Sequence, residues 1–166
     1  MSTHRFPPAS LIRRLAAAFY DSLLVLAIWF LGTLIILPFA RGESFDAENP
    51  LFLLYLLLLT GLFFGWFWWR SGQTLGMRAW RLQVVSPEEA QAPPPNILIR
   101  VALVLGLIVS GLYGLVFLVM DTWPDWWGAI ALFPLLLSMS WSLVDAEQRC
   151  LHDILSRTRV IHIPKT

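Results

Sequence analysis

Four apolar runs, each close to the length of a bilayer crossing, constrain this chain more than any other feature. They cover residues 15–39, 51–69, 97–120 and 126–144. About 20 residues at 1.5 Å per residue cross ~30 Å of hydrocarbon. Lipid offers no hydrogen bonds, so each run is expected to be a helix that satisfies its own backbone. Hydrophobic residues make up 57% of the chain and charged residues only 14%, whereas soluble domains carry about a quarter charged residues. The expected fold is an all-α membrane protein: a four-transmembrane-helix bundle forming one domain over residues 1–166. The first run follows Arg5, Arg13 and Arg14, as a signal peptide would. It is longer than the ~7–15 residues of a signal's apolar core, and Pro38 stands where a cleavage site needs a small residue. It reads as a retained anchor.

The arginines give the orientation. Eleven of the twelve basic residues fall in the N-terminal tail, the segment after the second run and the C-terminal tail. The first loop holds Arg41 among Glu43, Asp46 and Glu48, and the third holds Asp121 and Asp125 with no base. The positive-inside rule places both termini and the middle loop in the cytoplasm. Trp66, Trp68, Trp69 and Trp80 gather at that face, and Trp123, Trp126 and Trp127 at the other, where amphipathic rings prefer the headgroups. The net charge of +1 gives no reason to expect nucleic acid as a partner. A single cysteine, Cys150, rules out an intrachain disulfide.

Small residues govern helix packing in lipid. Gly61 and Gly65 form one stripe, and Gly106, Ser110 and Gly114 another, all at steps of four; close helix contacts are expected along both, within one chain or between copies. The link between the third and fourth runs is short enough to make them an antiparallel hairpin. Residues 82–86 and 158–163 are rich in β-branched residues and are expected to pair as short strands beneath the bundle. Residues 87–96, with four prolines, read as a flexible linker.

Asp21 is the leading functional candidate. It lies seven residues beyond Arg14, on the same stripe of the helix and roughly 10 Å deeper. A carboxylate at such depth faces the bundle interior or water. It reads either as a cation or proton site or as half of a structural pair with Arg14, Arg78 or Arg81. Cys150, His152 and Asp153 offer nucleophile or metal donors just after the fourth run. Neighbours in sequence rarely converge, His4 and His162 lack ligand spacing, and a salt-bridged cap of Glu147, Arg149 and Asp153 is the plainer reading. No metal site, cofactor or catalytic residue is therefore expected, and no phosphate loop or nucleophile elbow appears.

These residues resemble a known family. Arg13-Arg14-Leu15-Ala16-Ala17-Ala18-Phe19-Tyr20-Asp21 is similar to the opening of RDD-family membrane proteins, named for one arginine and two aspartates. Ser71-Gly72-Gln73-Thr74-Leu75-Gly76-Met77-Arg78 resembles the family's segment after its second span, with Met77 where many members have lysine. Leu151-His152-Asp153 and Thr158-Arg159-Val160 resemble its C-terminal signature. The resemblance implies that Arg14 and Asp21 are the first two family residues. The second aspartate is best carried to Asp153, with Asp145 the weaker claimant. Gly72, Gln73, Thr74, Gly76 and His152 complete the signature. The resemblance also implies a multi-pass protein of the bacterial inner membrane, with transport suspected.

Two functions fit. One is transport of an ion or small solute, with cation/proton exchange at Asp21. Four helices enclose little room, so a homo-oligomer is then expected. The other is a non-transporting scaffold, assembly factor or subunit of a membrane-protein partner, with Arg14–Asp21 as a structural pair. Neither is an enzyme.

Overall fold

Each apolar run folds as a helix, and local chemistry sets its ends. The computed structural model describes residues 6–40, 49–88, 90–119 and 125–164. Helix α1 spans Leu11–Ile36 and closes in a 3-10 turn over Leu37–Ala40, where Pro38 cannot extend the α-helical ladder. Helix α2 spans Pro50–Ser71; the Asn49 side chain accepts from Leu51 N–H, with Pro50 at the first helical position. It ends at Gly72, whose φ of 68° is left-handed, a conformation open to glycine without a Cβ penalty. Helix α3, Leu75–Ala79, follows, and strand β1 covers Leu82–Val85. Helix α4 spans Pro94–Val119 and α5 spans Asp125–Val144. A short helix α6, Leu151–Leu155, leads into strand β2, Arg159–His162. The expected linker is thus shorter than 87–96, because Pro94, Pro95 and Asn96 form the first turn of α4, where prolines need no N–H partner. The expected outer loops, with Trp123, lie outside the described residues.

All four long helices are long and apolar enough to cross a membrane. Their outward faces are greasy: Leu62, Phe30 and Phe133 are each at least 60% exposed, a surface suited to lipid rather than water. Neighbours run antiparallel. The Trp29 indole donates to Thr60 Oγ1 at 2.9 Å, and the Tyr55 hydroxyl donates to Gly32 O at 3.1 Å, tying α1 to α2. Gly61 and Gly65 let α2 approach Leu105 and Val101 of α4. Gly114 seats against Leu132, and Ser110 donates to the Ala131 carbonyl, so α4 and α5 form the expected hairpin. The second stripe is corrected at one end: an added Cβ at Gly106 would meet nothing within 4 Å, whereas Gly111 and Gly128, outside the stripe, do pack against Leu135 and Leu118. Gly61, Gly65, Ser110 and Gly114 are thus used within the chain. Of the four neighbouring span pairs, α1 and α5 meet most sparsely.

The short elements gather at the arginine-rich end. Strands β1 and β2 pair antiparallel as expected, with Val84 opposite Val160 and Leu82 opposite His162. The N-terminal segment joins them: Ala9 N–H donates to Val160 O at 3.0 Å, and His162 N–H to Pro7 O at 3.0 Å. Leu82, Val84 and Ile161 are almost fully buried there. Trp68 is buried inside the bundle, while Trp66, Trp69 and Trp80 are exposed.

Candidate functional site

Two buried carboxylates organise the arginine-rich end, and each has partners that spacing along one helix could not reveal. Asp153 sits in the first turn of α6. Its Oδ2 accepts from Cys150 N–H at 3.0 Å, as a capping residue does. The same oxygen accepts from Arg14 Nη1 at the start of α1, and Oδ1 accepts from Arg100 Nη1 near the start of α4. Arg100 also donates to Thr158 Oγ1 at 2.7 Å, and Arg14 Nε donates to Ala9 O at 3.0 Å. The guanidinium of Arg100 lies 4.8 Å from the ring centre of Trp68, within cation–π range. One carboxylate thus clamps α1, α4 and the segment after α5.

Asp21 is separate. Its Oδ1 accepts from Gly76 N–H at 2.9 Å, and its Oδ2 accepts from the Thr74 hydroxyl. Thr74 Oγ1 in turn accepts from Met77 N–H at 3.1 Å and caps α3. The expected Arg14–Asp21 pair is therefore corrected: Arg14 turns to Asp153, and Asp21 holds neutral donors from α3. Arg78 and Arg81 do not reach it either. The physical reason is length. Arg14 lies two turns from Asp21 along the axis, while α6 brings Asp153 within direct reach.

The segment Gly72–Gly76 is the frame for Asp21. Gly72 leaves room for the Val84 carbonyl, 2.7 Å from where a Cβ would lie. The Gln73 amide donates to Leu82 O at 2.7 Å. Gly76 allows α3 to rest directly on α1, with the Ala17 carbonyl 2.4 Å from an added Cβ.

Cys150, His152 and Asp153 do converge, contrary to expectation for near neighbours in sequence: their donor atoms lie within 4.8 Å of one another. The surroundings oppose a metal ion, because two guanidiniums already occupy the carboxylate, and Arg14 Nη1 lies 3.5 Å from Cys150 Sγ. Burial and the Asp153 charge push the Cys150 thiol up against the pull of the arginines, so it is protonated and weakly nucleophilic near neutral pH. The expected cap is rearranged as well. Arg149 pairs with Asp145 at 3.0 Å and with Glu147 at 3.6 Å, leaving Asp153 to the buried cluster.

His152 is buried beside the cluster. Ser138 Oγ lies 2.9 Å from Nδ1, and Nε2 is 3.4 Å from Asp153 Oδ1. A proton on Nε2 faces the Asp153 carboxylate, and in that tautomer Ser138 donates to Nδ1. Burial, aided by the nearby arginines, pulls the His152 pKa from 6.5 to about 4. Burial alone would raise Asp153, but Arg100 and its other charged neighbours hold it well below the usual carboxylate range. Below pH 6.5 the unfolded chain takes up a proton at His152 that the folded chain refuses. Stability is thus complete above pH 6.5 and falls as pH drops toward 4, by roughly 3 kcal/mol in full. Thermal melting in mild detergent between pH 7.5 and 4 checks this: the wild type loses stability across that window, and His152→Gln flattens the slope. Equal slopes in both would refute the assignment.

Arg14, Asp21, Arg100, Cys150 and His152 all line one cavity of about 490 Å³ between the spans, walled above them by Val25, Phe64, Val104 and Ile108. Arg100, Trp68, Ser138 and Thr158 were not singled out as site residues from the sequence. The available signal was Arg100 itself, an arginine in the first turn of a span, placed as Arg14 is.

The fold and its buried polar end define a multi-pass helical membrane protein. Comparison with curated proteins and with solved structures gives no match. The model of the RDD family matches residues 8–157, and the chain belongs to that family.

Proposed function

We propose that this protein transports an ion or small solute, with Asp21 exchanging a cation for a proton at the cytoplasmic end of the cavity. The observation that carries this reading is the charge environment of Asp21. It is 3% exposed, lines the cavity, and has no cationic partner among the described residues. An ionised carboxylate buried without a counter-ion is costly, and a bound proton or cation removes that cost. Asp153 already has two guanidiniums and serves as the lock; that division of labour supports reading it, rather than Asp145, as the second family aspartate. The arginine-rich end faces the cytoplasm by the positive-inside rule, in a bacterial inner membrane.

The scaffold reading keeps one observation on its side: the Thr74 and Gly76 bonds make Asp21 an anchor for α3. Asp21→Asn separates the two. An asparagine can accept from Gly76 N–H and donate to Thr74 Oγ1, so the anchor survives while the exchangeable charge is gone. In proteoliposomes, cation-driven proton flux is expected to fall at least about tenfold in the variant, with its melting temperature little changed. Wild-type vesicles that move no proton against any common cation would establish the scaffold reading instead.

A further inference from the structure

Beside the floor of the cavity lie two buried donors that the fold does not use. Arg100 Nε and Trp68 Nε1 have no hydrogen-bond partner among the described residues, although the two side chains are only 4% and 5% exposed. Both residues line the cavity, and the guanidinium of one lies against the ring of the other. A buried donor left unpaired is destabilising, and native folds rarely leave two together. Charge points the same way. Arg14 and Arg100 share one carboxylate, and His152 is neutral near pH 7. Asp21 is on the same wall with only the neutral partners Thr74 and Gly76, so its charge belongs to the exchange site and is counted apart from the Asp153 cluster. The cluster around Asp153 therefore has one positive charge in excess.

Above this floor the wall turns apolar, through Phe64, Val104, Ile108, Leu135 and Met139. The volume of about 490 Å³ falls within the ~300–1,000 Å³ of ordinary ligand pockets. Donors and excess positive charge at one end, with hydrocarbon along the rest, match a molecule that has an acceptor-only head and an apolar tail. We propose that the cavity binds an amphiphile with one anionic head, a carboxylate or phosphate, drawn from the surrounding bilayer. The head accepts from Trp68 Nε1 and Arg100 Nε, and the tail lies along α4 and α5. The sparse seam between α1 and α5 gives a tail the least-packed route between spans. The assignment concerns occupancy and holds whether or not the occupant is carried across.

The test uses the full chain in phosphatidylcholine vesicles with spin-labelled stearate, phosphatidate and phosphatidylcholine as probes. The readout is the motionally restricted fraction of each. The wild type is expected to favour an anionic probe over labelled phosphatidylcholine by about tenfold, the worth of a charge-assisted hydrogen bond. Trp68→Phe keeps the ring and every charge and removes one donor; it is expected to lose most of that preference. Arg100→Lys keeps the charge for Asp153 and removes Nε, and it serves as the second variant should Trp68→Phe fold poorly. Preference undiminished in the folded variants would overturn the proposal, since general attraction to the arginine-rich end would then explain it. Displacement of the labelled lipids by millimolar inorganic phosphate would overturn it too, by assigning the donors to a soluble anion.

Discussion

Asp153→Ala is expected to cost about 3–5 kcal/mol, because it strands two buried guanidiniums without their counter-charge. Asp153 is fully buried and is bonded to Arg14 and Arg100 at once. Those arginines sit in the first turn of α1 and the second turn of α4, and α6 hangs from the end of α5, so one carboxylate holds three of the four spans in register. The loss should appear as a fall of roughly 10 °C or more in the melting temperature in mild detergent. A companion variant separates charge from packing. Replacing all three residues with apolar ones of similar size, Arg14→Met, Arg100→Met and Asp153→Leu, removes both the clamp and its desolvation cost. It is expected to melt above Asp153→Ala, since buried ion clusters exchanged whole for well-packed hydrocarbon are often neutral or better. If Asp153→Ala melts within a couple of degrees of the wild type, the cluster is not what holds the spans.

The position of the lock explains what could be read from the sequence and what could not. The spans follow from hydropathy alone, because lipid leaves a run of 20 apolar residues no alternative to a helix. The strand pair was legible for a related reason: two β-branched stretches outside the spans needed each other to satisfy their backbones, and Leu82–Val85 pairs with Arg159–His162. Partner choice among charges was not legible. Seven residues put Arg14 and Asp21 on one stripe, but a stripe constrains direction and not contact. The partners came from segments 55 and 139 residues away, Gly76 and Asp153, and only tertiary structure brings these close. Arg100 was hidden because an arginine at the start of a span is sufficiently explained as an orientation signal. Gly106 misled for a geometric reason. Helices α4 and α5 lie close at Gly114 and Gly128, but α6 packs against both near their other ends. The stripe therefore outlasts the contact.

Gly76→Ala tests the second carboxylate through its frame. A Cβ at this position would lie 2.4 Å from the Ala17 carbonyl and 2.9 Å from Asp21 Cγ. The first is backbone in the middle of a helix, so it cannot rotate away. Helix α3 must lift from α1, and the lift breaks the 2.9 Å bond from Gly76 N–H to Asp21. Overpacking costs ~1–3 kcal/mol, and a lost bond to a charged acceptor ~1.5–3; because one movement does both, a combined loss of roughly 3 kcal/mol is expected. Gly106→Ala is the internal control: it meets nothing within 4 Å, and alanine favours the helix by about 1 kcal/mol, so it should be neutral or mildly stabilising. The pair also bears on function. Gly76→Ala shifts the donor that positions Asp21 without altering any charge. If exchange depends on where that carboxylate is held, flux in vesicles falls along with stability, whereas Gly106→Ala leaves both intact. Normal melting and normal flux in Gly76→Ala would show that α3 does not rest on Asp21 as described.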